Sequence, residues 1–261
     1  MQTSYSLSMN EGTPGLIASA GGSPRTVLTY NNPVDAIEFG RAVAKVSGTD
    51  GACQLPSGGS AVIVGVAVRD TSVEGISYVA KSNVGALRRG QIYVEVENTV
   101  TEDSDVYVRH SGRAQVQTFV LSGDAITGDA ITGNTIAATF NGTAITQAFD
   151  TDHLTTMNAL AAQIQALADV ATATVGGSGN RTITITAAVN GVDVAITSAA
   201  ITGGVSQATI TVTTTVTGVL NSKKGLFRSN SDTSTALQLT NARFVKGATA
   251  GNCAIVDLNI P

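Results

Sequence analysis

The chain has 261 residues, 43% hydrophobic and 13% charged, which is enough to bury one large core or two ordinary ones. A net charge of −4 offers no field for nucleic acid or an anionic membrane, and no apolar run approaches the roughly 20 residues that span a bilayer. Aromatics make up only 4%, with no Trp, so Gly, Ala, Thr and Val point to β-structure packed with small and β-branched side chains.

Residues 1–33 are rich in Ser, Gly, Asn and Pro, as in Glu11-Gly12-Thr13-Pro14-Gly15 and Asn31-Asn32-Pro33. That density of Pro and Gly predicts an extended N-terminal arm. Leu16-Ile17-Ala18 is an apolar patch and Thr26-Val27-Leu28-Thr29-Tyr30 has strand composition, which fits an arm that orders against a partner rather than a disordered tail. The first residues lack the basic start and apolar run of a signal peptide, so synthesis in the cytoplasm is expected.

From Ile37 to Val120 short strands alternate with Gly-containing turns. Ile37 to Val43 alternates, Ala61 to Val68 is a continuous apolar run, and Ile92, Val94 and Val96 share one face. Between two such strands, Leu87-Arg88-Arg89-Gly90 reads as a basic turn suited to an acidic protein partner. Regular strand spacing predicts a β-sandwich or barrel core.

At Leu121 the composition changes. Residues 121–217 hold 22 threonines, six acidic residues and one basic residue, Arg181. This stretch reads as one domain inserted into another. It opens on a direct repeat, Gly123-Asp124-Ala125-Ile126-Thr127 and Gly128-Asp129-Ala130-Ile131-Thr132, which predicts a linker or hairpin. Asn141-Gly142 between two strand-like runs predicts a tight hairpin. Leu154, Met157, Leu160, Ala161, Ile164, Leu167 and Ala168 then fall at helical spacing behind the N-cap candidates Asp150, Thr151 and Asp152. Strands resume after Ala171, with strict alternation in Thr182-Ile183-Thr184-Ile185-Thr186. The expected insert is a small α+β domain of β-β-α-β-β-β order. After Gly218 the composition reverts, and Ala254, Val256, Leu258 and Ile260 share a face of a last strand expected to complete the first sheet. The expected organisation is therefore an arm (1–33), a β core (34–120 with 218–261) and an insert (121–217).

No catalytic constellation emerges. His110 and His153 lie in different expected domains, and both read as solvated. Asp150-Thr151-Asp152 does not continue as a calcium loop, and capping accounts for both carboxylates. Glu95 and Glu97, and the acidic turn Glu102 to Asp105, read as solvated surface. Gly176-Gly177-Ser178-Gly179-Asn180 lacks the Lys-Ser/Thr and following helix of a phosphate cradle and reads as a hairpin loop. Cys53 and Cys253 sit in no metal-binding spacing. Their separation permits a disulfide, while a cytoplasmic origin favours two reduced, buried thiols. No cofactor, metal or enzyme activity is expected.

An ordered series of segments resembles the structural cement (decoration) proteins of tailed bacteriophages. The series runs Gly12-Thr13-Pro14-Gly15-Leu16-Ile17-Ala18, Ala36 to Val43, Gly51 to Pro56, Val64 to Asp70, Val84 to Gly90 and Asp105 to Arg109, and resumes at Gly225 to Arg228, Ala242 to Phe244 and Ala250 to Pro261. The inserted domain departs from the simplest members of that family. The resemblance implies a virion protein on the outer capsid surface that clamps neighbouring copies of the major capsid protein, with no nucleic-acid or membrane partner. Symmetry suggests a homotrimer at three-fold or local three-fold positions. The flanks would dock and the insert would project outward. Expected capsid-contact residues are Pro14, Gly15 and Arg25 of the arm, with Arg88 and Arg89. The alternative is a phage surface adhesin that binds host surface or glycans through the insert, which would call for exposed aromatics; the insert has only Phe140 and Phe149.

Overall fold

The computed structural model describes residues 12–18, 24–122, 134–203 and 209–261. The direct repeat from Gly123 to Thr132 and the start of the arm lie outside the described residues. In chain order the strands are β1 (Thr26–Asn31), β2 (Ile37–Glu38), β3 (Ala42–Lys45), β4 (Cys53–Gln54), β5 (Ile63–Ala67), β6 (Ser77–Tyr78), β7 (Asn83–Glu95), β8 (Tyr107–Arg109) and β9 (Val116–Ser122). There follow β10 (Thr135–Phe140), β11 (Thr143–Ala148), helix α1 (His153–Gln165), β12 (Val170–Gly176), β13 (Thr182–Ala187), β14 (Ile196–Thr202) and β15 (Thr209–Val216). The chain closes with β16 (Phe227–Arg228), β17 (Ala236–Gln238), β18 (Ala242–Lys246) and β19 (Cys253–Asn259). The protein is mainly β, as its composition predicts, and forms two compact units: Met1–Ser111 with Ser222–Pro261, and Gly112–Asn221.

The first unit is organised around β7. A seven-stranded sheet runs β18-β19-β7-β5-β3-β4, with β1 also paired to β7. The expected basic turn at Leu87 to Gly90 is not a turn: these residues lie inside the 13-residue β7. Against β1, Thr26 faces Arg89 while Val27 faces Leu87, so Arg88 is the extra residue of a β-bulge. Gly90, at φ +113, lets the strand continue beyond it. The extra residue slips the alternation. Val84 and Ala86 face a core cluster with Ile37, Phe39, Val43 and Tyr78. Leu87, Ile92 and Val94 face the main cluster with Val108, Phe227, Phe244, Val256 and Leu258. β19 pairs with β7 from Cys253↔Glu95 to Asn259↔Arg89, so the last strand completes the first sheet.

The second unit is a sandwich of β12-β13-β9-β15 and β11-β10-β14. Its core joins Phe119 and Leu121 of β9, Ile136 and Phe140 of β10, Ile183 and Ile185 of β13, and Met157, Leu160 and Ile164 of α1. Four strands follow the helix, one more than the expected order; β12, β13 and β15 share a sheet with β9, and β14 pairs with β10 in the other. Asn141 (φ 45) and Gly142 (φ 86) make the tight β10–β11 turn expected of Asn-Gly. The Asp152 carboxylate accepts from Thr155 N at 2.7 Å and caps α1, while Asp150 instead accepts from Thr151 N at 2.8 Å. Residues 176–180 form the loop of the β12–β13 hairpin. At the ends of the unit, Arg113 N donates to Val219 O (2.8 Å) and Val219 N donates to Arg113 O (2.7 Å).

Candidate functional site

The described part of the arm is laid against its own chain. Gly15 N donates to Tyr93 O (2.8 Å), Tyr93 N donates to Leu16 O (2.9 Å) and Ala18 N donates to Gln91 O (2.8 Å). These bonds order residues 12–18 along β7 without a second chain. The Pro14–Gly15 turn is wedged between Phe39–Gly40 and Arg69. Gly15 has φ +82, and a Cβ there would meet Arg69 N and Phe39 Cβ at 2.8 Å. Its carbonyl accepts from Arg69 N at 2.8 Å. Gly15 is accordingly buried, Pro14 half-buried and Leu16 exposed. The Arg69 guanidinium carbon stands 5.6 Å from the Phe39 ring centre, within cation–π reach.

Arg25, Arg88 and Arg89 are brought together at the bulge. Thr26 pairs with Arg89, and Arg25 Cγ lies 3.4 Å from where a Cβ would sit on Gly90. Arg25 and Arg89 are exposed. Arg88 is half-buried; its Nε is shielded from solvent and makes no hydrogen bond among the described residues. It lines an open groove of about 290 Å³ with Val62, Val64, Leu237, Leu239 and Ile260. Two apolar side chains of β1, Val27 and Leu28, are also exposed. The result is a cationic patch edged by aliphatic surface.

A second constellation was not legible in the sequence. Arg109 Nε donates to Glu97 Oε1 at 2.6 Å, and Arg109 also pairs with Asp232. Arg228 Nη1 reaches Glu97 Oε2 at 2.9 Å and Asp232 Oδ2 at 2.8 Å. All four side chains are buried, with exposures between 1% and 13%. Glu97 is therefore not the solvated residue expected of its polar strand position. Two cations and two anions neutralise one another, and every charge has a partner, which makes the cluster a brace rather than a reactive centre. It joins β8 and β16 to the loop at Asp232. There Asp232, Thr233 and Ser234 all take left-handed backbone (φ 47, 57 and 67), a costly conformation that the ion pairs hold in place.

His110 also departs from expectation, being buried beside this cluster at 6% exposure. Burial chiefly depresses its pKa below the usual histidine value; a hydrogen bond to the Ser234 backbone opposes this, and the charges of Arg109 and Lys224 add to it. His153 begins α1 and is half-buried. The acidic turn at Glu102, Asp103 and Asp105 is exposed, as expected. Cys53 and Cys253 are both buried, and neither forms a disulfide. Burial pushes the Cys53 thiol up from 9.0 to about 11. Among the described residues no group of three or more His, Cys, Asp or Glu could share a metal ion, and no helix is long and apolar enough to cross a membrane.

Residues 1–162 match the family model of the structural cement protein (E217 gp24/Pam3 gp6). The chain belongs to this family of phage structural cement proteins, and it is a structural protein of the virion. The matched residues include the arm, β7 and the bulge, and continue past Val120 through β10 and β11 into α1. No curated protein matches the chain. A solved chain described as "The capsid of Myoviridae Phage XM1" is similar at 12% identity and a TM-score of 0.47, over 99% of this chain and 97% of that one.

Proposed function

We propose that the protein binds the outer surface of the phage capsid and stabilises contacts between neighbouring major capsid subunits. The observation that carries this reading is the match to the structural cement family over residues 1–162. A protein that binds only the assembled lattice stabilises it by mass action, and contacts to several subunits at once raise the effective concentration of each later contact. In this reading the first unit docks, as a homotrimer at three-fold or local three-fold positions, and the second unit is an outward-facing accessory.

The proposed contact surface is the face with Pro14, Arg25, Arg88, Arg89 and the exposed Leu16, Val27 and Leu28. Exposed arginines beside aliphatic side chains suit an acidic, partly apolar protein partner. Gly15 serves that surface indirectly, by anchoring the turn that carries Pro14. The adhesin reading lacks support: it calls for exposed aromatics, whereas Phe140 is buried in the second core and Phe149 is partly buried against it.

The test is addition of purified protein to mature-lattice capsids that lack it. Sedimentation and electron microscopy should show decorated particles with greater resistance to heat. Undecorated particles at saturating protein would sink the proposal. Arg25→Glu with Arg89→Glu should weaken decoration at least about tenfold while leaving the fold intact, because both side chains are exposed.

A further inference from the structure

From Val194 to Ser222, 29 consecutive residues include no Asp, Glu, Lys, Arg or His, in a chain that is 13% charged. This run supplies β14 and β15, which are end strands of the two sheets of the second unit and touch one another. Among the described residues β15 pairs only with β9. Leu121 N donates to Arg181 O, so Leu121 directs its backbone away from β15. The antiparallel register Ile210↔Leu121 and Val212↔Phe119 then turns the N–H and C=O groups of Ile210, Val212 and Thr214 outward, away from β9.

Such an edge is a template for another strand. Folded proteins usually blunt it with Lys, Pro or a bulge. The segment Thr209-Ile210-Thr211-Val212-Thr213-Thr214-Thr215-Val216 has neither charge nor Pro, and its one irregularity lies at its end, between Thr214 and Val216. On the outer face of the sheet, Thr174, Thr184, Thr118 and Thr213 stand in one row across all four strands.

We infer that this edge pairs with a second copy of the chain, β15 antiparallel to β15 about a two-fold axis. The two four-stranded sheets become one eight-stranded sheet, and the threonine rows run on across the junction. Charge selects this occupant. Residues 112–221 hold six acidic and two basic residues, so two copies repel one another, and a charge-free edge is where they approach at least cost. The edge also offers nothing to recruit a charged partner, whereas an isologous pairing satisfies its outward donors and acceptors with the same groups of the other copy. Six residues of strand span only about 20 Å, less than the roughly 800 Å² per partner of a stable interface needs. The pairing is therefore weak in dilute protein and grows strong where copies are held side by side. This inference does not depend on which surface the first unit binds.

Thr211→Cys and Thr213→Cys, each alone and in mixture, test it in the full-length protein. Both positions are exposed, and the native cysteines are buried. Cross-strand neighbours lie at disulfide distance. Under mild oxidation at least one of these samples should form a covalent dimer at least about tenfold faster than Thr174→Cys, an exposed position on the opposite end strand β12. Rates equal to that control would overturn the inference. Independently, Thr211→Lys with Thr213→Lys should weaken self-association at high protein concentration at least about tenfold, with an unchanged circular-dichroism spectrum. Undiminished self-association of the folded variant would overturn it as well.

Discussion

Glu97 bonds to Arg109 and Arg228 in a space where both arginines are largely shielded from water. Glu97→Gln keeps the shape but leaves the cluster with one anion for two buried cations. Loss of one partner of a buried pair costs about 3–5 kcal/mol, so the urea midpoint should fall sharply; a change below about 1 kcal/mol would show the brace to be unimportant. Two buried groups contribute to the pH response. Cys53 is raised in the folded state, so its contribution is complete below pH 9 and is lost as pH rises through about 11. About 2–3 kcal/mol should disappear across that window, and Cys53→Ala should flatten the alkaline loss. His110 is depressed, so its contribution is present above the ordinary histidine pKa and is lost as pH falls below it. An NMR titration should find the His110 ring still neutral just below the ordinary histidine pKa. Neither Glu97 nor His110 revealed its burial locally. The partners of Glu97 lie 12 and 131 residues away, and only tertiary contact brings them in.

At the scale of elements, β7 shows why local signals mislead. Leu87-Arg88-Arg89-Gly90 has the charge and glycine of a turn, yet the flanking strands β1, β5 and β19 hold the backbone extended through it. A bulge uses the same residue types as a turn, since both need one residue out of phase and a permissive glycine. The Asn141–Gly142 hairpin and the Asp152 cap were legible because their geometry is set within four residues. The arm turn rests on another glycine. Gly15→Ala would place a methyl group 2.8 Å from Arg69 N at a left-handed φ. We expect a loss of about 1–3 kcal/mol, and faster proteolysis within residues 12–18. Unchanged stability and protection would show that the arm is held by something other than this turn.

The chain forms two compact units. In the first unit, Arg109 N donates to Leu226 O and Gly225 N donates to Arg109 O, so the ends that flank the second unit are already bonded to each other. The ends of the second unit are clamped likewise by Arg113 and Val219. Replacement of residues 112–221 by a short Gly-Ser linker should therefore leave a folded first unit. In the proposed function that shortened protein still decorates capsids, and capsid cosedimentation checks it. A folded but non-binding product would move the docking surface to the second unit.

The change of composition at Leu121 falls inside β9, whose Phe119 and Leu121 belong to the second core. Threonine content marks a kind of strand surface, not the place where one core ends and another begins. By itself the sequence determined the class of structure, the hairpin, helix α1 with its cap, and the ordered segments of a cement protein. All of these rest on neighbours in the chain or on order along it. Only the tertiary structure decided that the basic segment is a bulge, that Arg25 joins it, that Glu97 and His110 are buried, and that among the described residues β15 pairs with β9 alone. Each of those depends on which distant strand lies alongside, and desolvation and backbone pairing act through space rather than along the chain.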